Sequence, residues 1–266
     1  MRGESSRETS AAELMLRVEG CVLNVTFNRP EKRNAMTWPM YDGLMDACEQ
    51  ADSDAGIRVM VLRGAGDQAF VAGTDIAQFL DFDSGSDGLA YEQRIGRVLA
   101  RLEAVRVPTV AAVHGFCLGG GLAIAAVCDL RIATTDARFG VPIARTVGNC
   151  LSTETMAVLI QQLGAARTLD LLFRARLLGA IEAEQTGFVC QLVPPAELDR
   201  AVAEICDTLA SHAPLTMWAA KESVRRARGA ASINGDDIVR TVYGSSDFRH
   251  GVRAFLDGRR PEWSGS

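Results

Sequence analysis

Three consecutive glycines, Gly119 to Gly121, lie in the stretch HGFCLGGGLAIAAVCD, after a β-rich run and at the start of an apolar segment typical of a buried helix. The first N–H groups of a helix have no acceptor within the helix, and the positive end of the helix dipole attracts negative charge. Glycine also lets a ligand approach the backbone closely. The stretch therefore favours a site for a negatively charged oxygen, although close packing of the helix against the strand would select the same glycines.

Another turn of this kind is predicted in DQAFVAGTDIAQF, residues 67–79, where Ala-Gly-Thr-Asp stands between a strand and a helix. Two backbone N–H groups from separate turns suit a carbonyl oxygen that becomes an enolate, because preorganised donors lower such a barrier by several kcal/mol. The glycines of the first stretch match neither G-x-G-x-x-G nor a G-K-[ST] sequence, so we do not expect a nucleotide-phosphate loop.

An α/β domain is predicted to position these turns. Two apolar runs around Glu19-Gly20 indicate a β-hairpin, and Thr37 is a predicted N-cap of an amphipathic helix. Further β-rich runs alternate with helical segments, which is typical of a sheet with βα crossovers. These runs are IRVMVLRG, TVAAV and CDLRIAT.

The last part of the chain, from about Ser152, is predicted to be mostly helical. Its helical segments are TMAVLIQQLGAARTLDLLFRAR, AELDRAVAEICDTLASHAP and LTMWAAKESVRRARG. We therefore expect a core over residues 13–200 and a helical extension over 201–266. Residues 1–12 are polar and carry no apolar segment behind their charges, so we expect a disordered leader and not a signal peptide.

The composition narrows the class of partner. Among 266 residues, 28 are basic and 33 are acidic, for a net charge of −5 and no stripe of Lys and Arg, so we expect no nucleic-acid partner. Seven cysteines are an odd number with no C-x-x-C pair, which favours free thiols in the cytoplasm.

Residues 109–128 have the length of a membrane span, but each glycine there costs a helix about 1 kcal/mol relative to alanine. A buried segment is therefore the prediction, without membrane contact.

Four stretches resemble, in order and spacing, the crotonase superfamily of enoyl-CoA hydratases and isomerases. They are FNRPEKRNAMT, DQAFVAGTDIAQF, HGFCLGGGLAIAAVCD and CDLRIATTDARFG, and the tail DFRHGVRAFLDGRRPEW resembles that family's C-terminal end. The resemblance covers residues 13–263. It implies an α/β fold of the crotonase type, a ββα superhelix with a C-terminal helical trimerisation region, in a homotrimer or a hexamer. It also implies an acyl-CoA thioester partner, with coenzyme A as part of the substrate and no separate cofactor or metal.

The same resemblance implies roles for individual residues. The thioester oxygen would accept hydrogen bonds from the N–H groups of Thr74 and Gly120. The coenzyme would lie against the backbone of Ala72, Asp75 and Ile76. The predicted contacts also include side chains for which a structural role fits equally well: Arg29 and Lys32 near the CoA phosphates, and Lys221 and Phe255 near a neighbouring subunit's CoA.

The chain departs from this family where the hydratases carry two catalytic glutamates. The matching positions hold Ala123 and Ile143, and neither side chain can transfer a proton. Three interpretations follow. A proton-transfer group comes from elsewhere, the reaction is a decarboxylation that needs no base, or the protein binds acyl-CoA without catalysis.

Replacement acid/base groups are sought among residues near the predicted turns. The candidates are Glu92, Arg145, Cys150, Glu154 and His114. A structural interpretation is favoured for the following: Glu92 and Glu154 as exposed helix acids, Cys150 as a buried thiol and His114 as a turn residue. Asp129 and Asp136 are also expected to be structural, at a strand end and in a turn.

Overall fold

The structure is a computed structural model that describes residues 12–229, 245–247, 250, 254, 257, 259 and 262–266. Phe255 and almost all of the predicted leader lie outside the described residues.

Within the described residues, ten strands alternate with helices. The strands are Leu14–Glu19 (β1), Val22–Phe27 (β2), Val59–Gly64 (β3), Ala69–Val71 (β4), Thr109–Val113 (β5), Phe116–Leu118 (β6), Leu130–Thr134 (β7), Arg138–Gly140 (β8), Leu178–Gly179 (β9) and Gln191–Val193 (β10). The α-helices are Trp38–Ser53 (α1), Gly85–Glu103 (α2), Gly120–Val127 (α3), Ile143–Thr146 (α4), Thr153–Leu163 (α5), Ala165–Phe173 (α6), Ala180–Gln185 (α7), Leu198–Ala210 (α8) and Pro214–Gly229 (α9). Short 3₁₀ helices span Pro30–Lys32, Ile76–Phe79 and Pro195–Glu197.

The strands form two sheets between which the chain passes repeatedly. The first sheet has the order β1-β2-β3-β5-β7-β10, and the second has the order β4-β6-β8-β9. The outer pairs β1-β2 and β8-β9 are antiparallel, and the other neighbours are parallel. Consecutive strand pairs such as β3-β4 and β5-β6 place one strand in each sheet before a helix returns the chain. This is the predicted ββα superhelix.

Local sequence signals account for the first elements. β1 and β2 pair from Leu14 opposite Phe27 to Glu19 opposite Val22, which confirms the hairpin. The Thr37 side chain accepts a hydrogen bond from the Met40 N–H, which confirms the predicted N-cap of α1. Along α2, the buried residues Ile95, Leu99 and Leu102 follow the helical period, so this helix covers the core with one face.

The apolar run over residues 109–128 is divided among β5, β6 and α3, and most of it is buried. One predicted helical segment is wrong as a single helix, because Gly164 adopts a left-handed φ of +79° and the axes of α5 and α6 differ in direction by 116°. In the described part of the chain, none of the helices has by itself the length and hydropathy needed to cross a membrane, and α5 with α6 reaches them only as this bent pair.

The C-terminal helices begin on the same core as the strands. Residue 200, the predicted end of the core, lies inside α8. Leu198, Ala201, Val202 and Cys206 of this helix pack on one face of the first sheet. The remaining buried apolar residues form a larger cluster that includes the other face of the sheet, α1, α2 and α3.

Candidate active site

Two turns follow neighbouring parallel strands. β4 and β6 pair in parallel, Thr74 comes three residues after the end of β4, and Gly120 comes two residues after the end of β6. Because parallel strands end at the same edge of a sheet, the two turns lie side by side. A Cβ atom placed on Gly120 would lie 4.0 Å from the Thr74 backbone nitrogen. The structure thus brings together the two residues that the sequence singled out.

Both backbone N–H groups are unpaired in the described part of the chain. A parallel bridge to Met36 holds the Thr74 turn: the Met36 N–H donates to the Gly73 carbonyl at 2.9 Å, and the Asp75 N–H donates to the Met36 carbonyl at 2.9 Å. The Thr74 N–H is left out of this bridge. Gly120 is the first residue of α3, where an N–H has no acceptor within the helix.

The glycines of the two turns are required by different features of the backbone and its packing. A Cβ on Gly121 would lie 2.1 Å from the Val71 carbonyl oxygen, so this glycine permits the close approach of α3 to β4. Gly73 and Gly119 have φ angles of +119° and +53°, which side chains disfavour. Close packing therefore explains Gly121, and at Gly120 the absence of a Cβ leaves room for the Tyr41 hydroxyl and the Thr74 turn.

The turns lie in a cleft with a cavity of about 110 Å³. Ala123 and Ile143, for whose positions the resemblance implies glutamates in the hydratases, both line it. Ala72 and Ile76, two predicted coenzyme contacts, also line the cleft, as do Phe79 and Tyr91.

Glu92 is the carboxylic acid that lines the cleft among the described residues. Its side chain is half-buried, so the prediction of an exposed helix acid is wrong. The Ser152 N–H, at the N-cap of α5, donates to Glu92 Oε2 at 2.7 Å. Burial raises the pKa of Glu92 above its ordinary value and outweighs this hydrogen bond, which favours the charged form. The other carboxylate oxygen has no described hydrogen bond.

The other acid/base candidates do not line the cleft. Arg145 and Glu154 are exposed, as predicted for Glu154, and Cys150 is exposed, so the prediction of a buried thiol is wrong. His114 follows β5 in the predicted turn, and it lines another cavity that Asp136 and Asp199 share. Burial lowers the pKa of His114.

Two predicted coenzyme contacts at the front of the chain make contacts within it. The Arg29 guanidinium, 13% exposed, donates to Asp75 Oδ2 at 2.9 Å and to the Ala35 carbonyl at 2.8 Å. Burial alone would raise the pKa of Asp75, but the hydrogen bonds from Arg29 and from the Ala77 N–H hold it below its ordinary value. Arg29 therefore fixes the turn after Thr74, while Lys32 is exposed.

Lys221 is also engaged within the chain. Its ammonium lies 2.7 Å from Asp129 Oδ2, and the Lys221 side chain is 10% exposed. Asp129 additionally accepts hydrogen bonds from the N–H and hydroxyl of Thr109, which confirms its structural role. Lys221 lines a different cavity from the two turns, so this chain by itself does not bring it to Thr74 and Gly120.

The meeting of two tyrosine hydroxyls with Thr74 beside these turns was not predicted. Tyr41 on α1 and Tyr91 on α2 have hydroxyl oxygens 2.8 Å and 2.7 Å from Thr74 Oγ1. Tyr41 occupies the buried stripe of α1, where the helical period predicts an apolar side chain. Nothing in the local sequence indicates that its hydroxyl meets Thr74.

Comparisons with known proteins identify the family of this chain. The enoyl-CoA hydratase/isomerase family model matches residues 17–266. A short-chain-enoyl-CoA hydratase of Clostridium acetobutylicum is 31% identical over 258 residues, which cover 94% of this chain and 96% of that protein. The 2,3-dehydroadipyl-CoA hydratase of Escherichia coli is 30% identical, with 96% of this chain and 99% of that protein covered.

A solved structure has the same fold. An enoyl-CoA hydratase/carnithine racemase from Magnetospirillum magneticum superposes with a TM-score of 0.88 at 31% identity, and the match covers 97% of each chain. The chain belongs to the enoyl-CoA hydratase/isomerase family, the crotonase superfamily, and is an enzyme of the hydratase/isomerase type.

Proposed function

We propose that this enzyme binds an acyl-CoA thioester and stabilises its enolate with the N–H groups of Thr74 and Gly120. One observation carries the proposal: two unpaired backbone donors stand side by side in one cleft. Their positions are set by strands and a helix, so little reorganisation accompanies the growth of charge on the thioester oxygen. Donors of this kind contribute about 3 kcal/mol each to a transition state that bears an oxyanion.

Proton transfer is assigned to Glu92 in this proposal. Ala123 and Ile143 offer no acid or base, and Glu92 is the carboxyl group in the cleft. Its raised pKa suits a group that alternately takes up and gives back a proton. The hydrogen bond from the Ser152 N–H fixes one carboxylate oxygen and leaves the other for the substrate.

The family supports further contacts for the coenzyme. The backbone of Ala72 to Ile76 is proposed to run beside the adenine end, with Lys32, which is exposed, near the phosphates. Arg29 would act there through the Asp75 turn. Lys221 and Phe255 are proposed to reach CoA only in a homotrimer or hexamer, a state that sedimentation velocity would test.

Substitution of Gly120 tests the proposal. Gly120→Pro removes the N–H at the first helical position, where proline is compatible with a helix. Gly120→Ala is the matched control, because it places a similar Cβ beside the Tyr41 hydroxyl, 2.9 Å away, and keeps the N–H. With crotonyl-CoA followed by absorbance, we expect the proline variant to lose about 100-fold or more in kcat/KM relative to the alanine variant. Equal rates in the two variants would contradict the role of this amide.

A wild-type protein without turnover would favour the other two functions. Calorimetric titration with crotonyl-CoA then separates an acyl-CoA-binding protein, which gives a saturable heat, from a protein that binds no thioester. Incubation with a malonyl-type CoA thioester tests decarboxylation, because loss of CO₂ generates the enolate without a base. Decarboxylation is the second candidate function, and the apolar side chains of Ala123 and Ile143 are compatible with it. A decarboxylation rate that is unchanged in Glu92→Gln would support it, because no base would then be needed.

A further inference from the structure

Three hydroxyl groups from separate elements meet beside the two backbone donors. The Thr74 hydroxyl lies within hydrogen-bond distance of both Tyr41 and Tyr91. It is also 3.4 Å from the position that a Cβ on Gly120 would take. Thr74 and Tyr91 line the cleft, and Tyr41 is 1% exposed behind them.

The protons of this hydroxyl cluster, Tyr41, Thr74 and Tyr91, can be assigned. Burial raises the pKa of Tyr91 to about 12 and that of Tyr41 further, so both phenols keep their protons at neutral pH. Each phenol lies within hydrogen-bond distance of Thr74 Oγ1, and the two phenols also interact with each other. A buried O–H without an acceptor costs about 1–3 kcal/mol, and the 2.8 and 2.7 Å contacts make Thr74 Oγ1 the favoured acceptor for both phenols.

This assignment leaves the hydroxyl hydrogen of Thr74 without an acceptor among the two phenols. A threonine hydroxyl has two acceptor lone pairs and one hydrogen. Phenols are the stronger donors and aliphatic hydroxyls the stronger acceptors, because the aromatic ring withdraws electron density from the phenolic oxygen. When both phenols donate, the lone pairs of Thr74 Oγ1 are filled and its own hydrogen must point away from the tyrosines. Acceptance of two hydrogen bonds also makes this O–H a better donor.

We propose that the Thr74 hydroxyl is a third hydrogen-bond donor of the cleft, directed at the thioester oxygen by the Tyr41 and Tyr91 phenols. This inference rests on the proposed function, since it needs a thioester at the Thr74 and Gly120 amides. Tyr41 and Tyr91 act through Thr74 and are positioning residues. Edge-on contacts hold the Tyr91 ring at 4.9 Å from Phe79 and 5.7 Å from Trp38, between ring centroids.

The third donor compensates in part for the lost glutamates. The enolate oxygen would receive hydrogen bonds from Thr74 N–H, Thr74 O–H and Gly120 N–H. More stabilisation of the enolate makes its formation easier for one carboxyl group. The role of a hydroxyl at residue 74 therefore concerns the charge on the substrate oxygen and not the transfer of a proton.

Infrared spectroscopy of a bound thioester tests the inference directly. Hydrogen bonds to a carbonyl lower its stretching frequency, and crotonyl-CoA labelled with ¹³C at the thioester carbon isolates that band. We expect the band to shift down on binding to the wild-type enzyme, to return partly in Thr74→Val and to stay down in Thr74→Ser. Thr74→Val keeps the backbone N–H, and its affinity for crotonyl-CoA should fall by about 3- to 10-fold. Thr26→Val on β2, outside the cleft, is the matched control.

The outcomes separate this inference from the proposed function. If the wild-type enzyme binds crotonyl-CoA without a carbonyl shift, the amide site itself is wrong. If the wild-type shift is present and Thr74→Val leaves it unchanged, only the hydroxyl inference is overturned. Tyr91→Phe and Tyr41→Phe should each give a carbonyl shift between those of wild type and Thr74→Val. Shifts equal to wild type in both variants would contradict the claim that the phenols orient the Thr74 hydroxyl. Circular dichroism of each variant establishes that it is folded.

Discussion

At the scale of single residues, the cleft combines apolar positions with one titratable carboxyl group. Ala123 is 3% exposed and Ile143 is half-buried, and both present hydrocarbon to the cleft. Glu92 reaches the same cleft from α2, with one oxygen fixed by the N-cap of α5. In the proposed function, the carboxyl group of α2 delivers the proton while the two backbone donors hold the substrate oxygen.

Substitution of Glu92 should separate catalysis from binding. Glu92→Gln keeps the shape and can still accept the Ser152 N–H, but it cannot transfer a proton. We expect kcat with crotonyl-CoA to fall by about 100-fold or more, with little change in the Kd from calorimetry. Glu49→Gln, an exposed acid on α1 outside the cleft, is the control and should behave as wild type. A Glu92→Gln enzyme of normal kcat would exclude this residue as the proton carrier.

The same residue should couple stability to pH. The folded protein holds a proton on Glu92 at pH values where the unfolded chain, with an ordinary pKa of 4.5, has lost it. The contribution of Glu92 to the free energy of unfolding therefore decreases as the pH rises above 4.5 through the folded pKa. Urea denaturation of wild type and Glu92→Gln across this range should show the difference between them change with pH. A constant difference would contradict the raised pKa.

At the scale of elements, an ion pair joins α9 to the first sheet. Asp129, just before β7, accepts hydrogen bonds from Thr109 at the start of β5 and from Lys221 on α9. Lys221 Nζ also donates to the Val107 carbonyl at 3.3 Å. These contacts give the buried lysine a structural task in the single chain, since its charge is compensated before any coenzyme is present.

Loss of the Asp129 charge should destabilise the fold. Asp129→Asn leaves the Lys221 ammonium largely buried without its counter-charge, and we expect about 2–4 kcal/mol less free energy of unfolding, given the partial exposure of the pair. Asp199→Asn breaks the ion pair to Arg63, in which Asp199 is 84% exposed, and should change the free energy of unfolding by at most about 1 kcal/mol. Urea denaturation measures both, and equal effects would show that Asp129–Lys221 is no stronger than a surface pair.

At the scale of the whole molecule, one sheet serves both apolar clusters. Leu23, Met60 and Leu62 face the larger cluster, while Val59, Val61 and other residues of the same strands face α8. A residue in a strand points to the opposite face from its neighbours, so strands β3, β5 and β7 contribute side chains to both clusters. Helix α8 therefore packs as part of the same unit as the first sheet.

This arrangement predicts how the chain unfolds. Urea denaturation followed by circular dichroism and by tryptophan fluorescence, which reports on Trp38 in α1, Trp218 in α9 and Trp263 near the C-terminus, should give coincident transitions. A chain that ends at residue 200 should aggregate, because the face formed by Val59, Val61 and Val110 loses most of α8. A soluble, folded fragment of this length would instead support a boundary between core and extension.

The sequence by itself determined the features that depend on neighbouring residues. The hairpin, the N-cap of α1 and the unpaired N–H of Gly120 follow from turns and helix starts, whose hydrogen bonding is decided within a few residues. The tertiary structure decided the position of Glu92 in the cleft and the meeting of Tyr41, Thr74 and Tyr91. These contacts join residues 60, 33 and 17 positions apart, so they depend on how helices pack over the sheets and leave no local pattern.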